Sequence, residues 1–204
     1  MPGRLFLQRT GVELARDLDV DAPDFYVDPR RNIAPGQEIV VLTAQGLTQM
    51  RWGMIPVGRT NARGRPVMET IINARGETLF DKSAFHGTGR ALIVCDGWYE
   101  WTGEKRKKQP WRIWPIDEGL LAFAAITDVW NAPGGIQIHQ VAAVTCEPSD
   151  DVKHLHHRMG VVVPPMSRQT WLSGTEAEAH ALIKPAPAGT LQHECADDVD
   201  WNAA

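Results

Sequence analysis

The feature that most constrains the fold is a run of short apolar segments separated by tight polar breaks. Ala91–Cys95, Trp98–Thr102, Pro110–Trp114, Leu121–Thr127 and Ile138–Thr145 each have strand length and are rich in β-branched, aromatic and small apolar residues. Connections this short favour antiparallel pairing, because a parallel crossover needs a dozen or more residues. Upstream, Ile39–Thr43 and Met50–Gly53 predict two more strands around the hairpin turn Ala44-Gln45-Gly46-Leu47. Helical signals are few. Thr10-Gly11-Val12-Glu13 and Thr175-Glu176-Ala177-Glu178 are capping boxes, predicting helices over 11–18 and 176–183. Leu79–His86 is a further helical candidate, closed by Gly87-Thr88-Gly89, and Val161–Val163 a last short strand. Many strands with few short helices predict an α+β fold: a single domain on a curved, barrel-like antiparallel sheet with short flanking helices. The expected domain spans 1–184. Pro185–Gly189 reads as a linker within a divergent acidic tail, 185–204, whose last dozen residues show no clear pattern.

Composition narrows the function. A hydrophobic fraction of 43% and a charged fraction of 23% describe an ordinary globular chain. No apolar run approaches a membrane span, and no basic segment followed by an apolar one opens the chain, so a cytoplasmic protein without a membrane partner is expected. Cys95, Cys146 and Cys195 form no C-x-x-C pair, which argues against a disulfide framework or a zinc knuckle, and the first two follow apolar stretches as buried strand residues would. His154, His156 and His157 lack partners at ligand spacing, so no metal or other cofactor is expected. The net charge of −4 counts against a protein that grips nucleic acid by overall charge. Acidic residues concentrate at 17–21 and 194–200, whereas Arg51, Arg59, Arg63, Arg65, Arg75 and Arg90 lie between, leaving room for a local anion-binding groove. Asn61–Pro66 reads as a basic loop and Glu104–Lys108 as a solvated hairpin tip.

The second residue carries distinctive chemistry. Methionine is generally removed ahead of a small second residue, and proline qualifies, so a mature chain would begin with a free secondary amine. An α-amine titrates at about pH 8 and is partly neutral, hence nucleophilic, at pH 7. Such an amine attacks an aldehyde to give a carbinolamine and then an iminium ion.

Several ordered motifs point to one family. Met1-Pro2-Gly3-Arg4, Asn32-Ile33-Ala34-Pro35-Gly36, Arg51-Trp52-Gly53-Met54-Ile55-Pro56, Asn73-Ala74-Arg75-Gly76-Glu77-Thr78, Gly97-Trp98-Tyr99-Glu100-Trp101 and His156-His157-Arg158-Met159 resemble the SRAP (SOS response-associated peptidase) family, over about residues 1–172. The resemblance implies the same kind of β-rich fold and the processing of abasic sites in DNA. Members open Met-Cys-Gly-Arg and use the cysteine as a covalent nucleophile; here Pro2 stands in its place, and Gly160 replaces a proline that follows the histidine motif.

Carried onto this chain, the resemblance makes Pro2, Asn73, Glu100 and His156 the catalytic candidates. Pro2 supplies the amine and Asn73 orients it. Glu100, set between aromatic neighbours, has a carboxyl expected near neutrality. His156 is expected to protonate the sugar ring oxygen. Arg4, Arg75, Arg90 and Arg158 are candidate phosphate contacts and Trp52 a base-stacking candidate, which favours single-stranded DNA. Pro2 has no thiol, so a stable thiazolidine crosslink is not expected; a transient Schiff base, with possible lyase activity, is. A monomer acting on single-stranded abasic DNA is the expected form. A non-covalent single-stranded-DNA binder or an inactive relative is the alternative, and an autocatalytic peptidase removing Met1 the third.

Overall fold

The computed structural model describes residues 2–55, 70–104, 107–132 and 134–202. The basic loop expected at 61–66 and the two residues at the tip of the 104–108 hairpin lie outside these. The strands are β1 (Arg4–Leu7), β2 (Arg30–Ile33), β3 (Glu38–Thr43), β4 (Gly46–Trp52), β5 (Asn73–Arg75), β6 (Gly89–Cys95), β7 (Gly97–Glu104), β8 (Lys107–Pro115), β9 (Leu121–Asn131), β10 (Gln137–Cys146), β11 (Met159–Gly160) and β12 (Leu191–Cys195). The helices are α1 (Gly11–Leu18), α2 (Arg168–Ser173) and α3 (Glu176–Ala181).

β10, β4, β3, β6 and β9 pair in that order, and β9 pairs back onto β10, closing a five-stranded barrel. All these pairings are antiparallel except β4 with β10, which run parallel through Gln140 opposite Arg51 and Val141 opposite Trp52. A barrel of so few strands has a narrow interior, and the inward residues are correspondingly small or branched. Ala91, Ala125 and Val41 on one face of the wall, and Ala124, Ala142 and Val144 on the other, are wholly buried. Both faces of β3 are covered, which is why Ile39–Leu42 is a continuous apolar run and not an alternating one.

β12, β8, β7, β1 and β2 form a second sheet. Its inner face packs on the barrel through Trp98, whose ring meets Phe123 edge-on at 5.4 Å. On the opposite face Gly97 is required: a Cβ there would lie 2.2 Å from the Ile113 carbonyl oxygen and 2.5 Å from the Phe6 ring. Both capping boxes form as expected. Thr10 and Glu13 bond reciprocally at the start of α1, and Thr175 and Glu178 at the start of α3. Each such cap contributes about 1 kcal/mol.

Several expectations need correction. Leu79–His86 is no α-helix; 3-10 turns at Gly76–Thr78 and Ser83–Phe85 replace it, since neither has a side-chain cap to nucleate a longer helix. The strand around 161–163 begins earlier, at Met159, and Val162 makes only an isolated bridge to Phe123. The C-terminal stretch is patterned after all: β12 pairs with β8 from Leu191–Pro115 to Cys195–Trp111.

Candidate active site at the amino-terminal strand

β1 delivers the amino terminus to β7. Arg4 stands opposite Tyr99 and Leu5 opposite Trp98, so the same register sets Gly3 opposite Glu100. Pro2 is buried, and its carbonyl oxygen accepts a 3.0 Å hydrogen bond from Asn73 Nδ2. Asn73 opens β5, which runs parallel to β10 with Asn73 opposite Ala143 and Arg75 opposite Thr145. On the other side of β10, Thr145 is opposite Gly160. The end of β10 therefore joins the Asn73–Thr78 segment to the turn carrying His156.

That turn is fixed by Arg158. Its guanidinium takes both Glu77 carboxylate oxygens, the second at 2.8 Å, and donates to the Thr145 carbonyl at 2.6 Å. A bidentate pair of this kind fixes geometry as well as adding energy. Gly76 allows the close approach, because a Cβ would lie 2.3 Å from Ile183. His156 is held at Nδ1, 3.0 Å from the Arg158 amide nitrogen and 3.2 Å from its carbonyl oxygen. An amide donor and a carbonyl acceptor side by side give Nδ1 a partner in either protonation state. The imidazole stacks on His157 with ring centroids 4.3 Å apart. At Gly160 the Phe123 ring fills the space a side chain would need, 2.6 Å from a Cβ placed there.

Glu100 is 4% exposed. Burial pushes its carboxyl up to about 7, with the positive amino end of the chain pulling the other way. The aromatic neighbours responsible are not the adjacent Tyr99 and Trp101, because successive strand residues face opposite ways. Trp111 stands directly opposite Glu100 on β8, and Trp98, two residues back on the same face, hydrogen-bonds the carboxylate and so works against the burial. Burial pushes His156 down to about 4, and here the amino-terminal charge and His157 act in the same direction. At pH 7 His156 is then neutral, whereas the Glu100 carboxyl lies close to its midpoint.

The binding candidates divide. Trp52 is wholly buried, with Nε1 donating to the Ile72 carbonyl at 3.2 Å, so its ring faces are core surface and unavailable to a base. The Arg90 guanidinium donates to the Gly174 and Thr175 carbonyls and clasps the α2–α3 junction instead of facing a phosphate track. Arg158 is engaged by Glu77 and Thr145 as above. Arg75 is exposed, and the nearby Glu77 is held by Arg158. Arg4 bonds Asn32 Oδ1 at 2.7 Å. Sequence reasoning missed the half-buried Trp101 and Trp201, which meet edge-on at 5.0 Å; an isolated tryptophan in an otherwise polar tail was the available signal.

Burial pushes the Cys95 thiol far up and the Cys146 thiol up to about 12, so neither is a ready nucleophile. Among the described residues no group of three or more His, Cys, Asp or Glu side chains is placed to hold a metal ion. No helix among them is long and apolar enough to cross a membrane.

Comparison with known proteins accounts for this arrangement. A family model described as SOS response associated peptidase (SRAP) matches residues 1–200, so it includes most of the acidic tail. The chain is 29% identical over 205 residues to the abasic site processing protein YoqW of Bacillus subtilis, covering 94% of this chain and 90% of that one. It is 32% identical over 187 residues to the abasic site processing protein YobE of the same organism, covering 86% and 84%. A crystal structure of a Bacteroides thetaiotaomicron protein superposes with a TM-score of 0.83 at 20% identity, covering 94% of this chain and 90% of that one, a likeness of fold. The chain belongs to the SRAP family.

Proposed function

We propose that this protein processes abasic sites in single-stranded DNA through the amine of Pro2, once Met1 has been removed. The observation that carries the reading is the convergence of the amino terminus, Asn73 and the buried Glu100. Asn73 holds the Pro2 carbonyl at 3.0 Å, and the β1–β7 register brings the terminus alongside Glu100. The relatives named as abasic site processing proteins support the substrate class.

The chemistry follows from the groups present. The neutral amine of Pro2 adds to the C1′ aldehyde of the ring-opened sugar, giving a carbinolamine. Glu100, whose carboxyl burial raises toward neutrality, donates its proton to the departing hydroxyl, and water leaves as the iminium forms. The iminium either takes water back and releases the aldehyde, or loses a C2′ proton to Glu100 or His156 and expels the 3′ phosphate, cutting the strand. With no thiol at position 2, no ring closure traps the adduct. The outer face of the second sheet carries Arg4, Trp101 and Trp201, and Arg75 is exposed on β5; cations position phosphates, and unpaired bases stack on the exposed parts of the rings, a sequence-tolerant interaction worth about 1–3 kcal/mol per base.

Burial of Pro2 favours a second reading, a non-covalent binder with a passive terminus. One experiment separates the two. Protein of verified intact mass is incubated with single-stranded DNA bearing one abasic site, with and without borohydride. An adduct that appears only with borohydride supports the imine. Absence of both adduct and strand cleavage, in protein shown to lack Met1, overturns it in favour of the binder.

A further inference from the structure

The acidic tail folds back over the outer face of the second sheet. Ala196 and Val199 are buried against Phe6 and Tyr99, and Trp201 meets Tyr99 edge-on at 4.9 Å. Within this strap the Asp198 carboxylate sits between two guanidinium groups. One oxygen takes Arg31 Nη2, and the two oxygens lie 2.9 and 3.2 Å from Arg112 Nη2. Glu194 takes the other nitrogen of Arg112 at 2.9 Å. Two oxygens of one anion held by two arginines is also how guanidinium groups bind a phosphate.

This anion site lies two residues along β1 from Pro2, on the face of the sheet opposite to that of Glu100. Arg4 stands opposite Tyr99, and Tyr99 opposite Arg112, so all three share one face of the sheet. Two strand spacings put Arg4 and Arg112 about 10 Å apart. Arg4 is two residues from Pro2, and its partner Asn32 donates to the Asp200 carbonyl at 3.0 Å, tying the strap to the same corner. A depression of about 340 Å³ opens there, lined by Arg30, Arg31, Asn32 and Asp198 among others.

We propose that Arg31 and Arg112 form a backbone-phosphate site for the DNA strand that reaches Pro2, and that Asp198 occupies it as an internal competitor. The proposal rests on the single-stranded-DNA reading above. Side chains of Arg31 and Asp198 are 53% and 56% exposed, and ion pairs so exposed are weakly held. The strap does not depend on the pair, because Ala196, Val199 and Trp201 anchor it by apolar contact. Asp198 can therefore yield to a phosphate while the tail stays in place.

The test uses undamaged oligothymidylate and fluorescence anisotropy across a salt series. Asp198→Asn should bind about 3- to 10-fold more tightly at low salt. Its plot of log affinity against log salt should steepen by about 0.7 for one added phosphate contact. Asp197→Asn removes the same charge but faces Gln109, not an arginine, and should leave both unchanged. Adding Arg31→Ala to Asp198→Asn should abolish the gain. An unchanged Asp198→Asn, an equal gain from Asp197→Asn, or a gain that survives Arg31→Ala each overturns the proposal alone. No binding by any variant at low salt overturns it together with the single-stranded-DNA reading. Borohydride trapping of the same variants reports on Pro2 separately.

Discussion

Glu100 on β7 and His156 in the turn before β11 both lie beside the same positive charge, and both are drawn away from water, Glu100 more deeply. They end on opposite sides of neutrality, at about 7 and about 4. Desolvation disfavours whichever form is charged, so it raises an acid and lowers a base. The amino-terminal charge opposes that shift at Glu100 and reinforces it at His156. At pH 7 the imidazole is consequently neutral and the carboxyl sits at its midpoint. On the proposed function, Glu100 carries the proton for iminium formation, and neutral His156, anchored by the Arg158 peptide, is left as a base.

The comparison can be broken most sharply by removing the carboxyl. Glu100→Gln should slow adduct formation by about 10²- to 10⁴-fold, the usual range for a lost acid–base group. Wild-type trapping rates should rise with pH as the amine loses its proton and fall above about 7 as Glu100 loses its own, and the variant should lack the falling limb. His156→Gln should slow the reaction less, leaving the profile between pH 6 and 8 unmoved; a lost limb there would contradict the assignment. Pro2→Cys supplies the missing thiol, so a crosslink that needs no borohydride should appear.

Stability against pH sharpens the same contrast, with smaller effects. The Glu100 carboxyl is raised in the fold, so its contribution is complete below about 4.5 and is lost as pH rises through about 7. His156 is depressed, so its contribution is complete above about 6.5 and is lost as pH falls through about 4. Between about 4.5 and 6.5 the two slopes oppose, and these groups leave the wild type nearly flat. Denaturant unfolding of Glu100→Gln should show stability rising with pH across that window. Relative to wild type it should gain on the order of 2–3 kcal/mol at pH 8. His156→Gln should show stability falling with pH, with a smaller amplitude because the ring is only partly withdrawn from solvent.

Legibility in the sequence followed the range of the interaction. Both capping boxes and the Thr43–Gly46 hairpin are local and were visible. Barrel strands were visible as apolar runs, although the parallel closure of β4 on β10 joins residues about ninety apart and leaves no local mark. β12 was missed because Gln192, His193 and Glu194 are polar, as an edge strand permits, and its partner β8 is far away in sequence. Pro2, Asn73 and Glu100 were legible through motif resemblance and converge. The burial of Trp52 and the depressed His156 depend on tertiary surroundings, which a motif does not encode. Glu100 was expected near neutrality because of Tyr99 and Trp101; the pleat turns those two away, and burial of the carboxyl on the opposite face produces the shift.

The most direct test of the central claim is mass mapping of the borohydride-trapped conjugate. After nuclease and protease digestion, the account predicts a reduced deoxyribose remnant on the nitrogen of Pro2, in a terminal peptide lacking Met1. A remnant on a lysine side chain, with Pro2 unmodified at a free amino terminus, would contradict it.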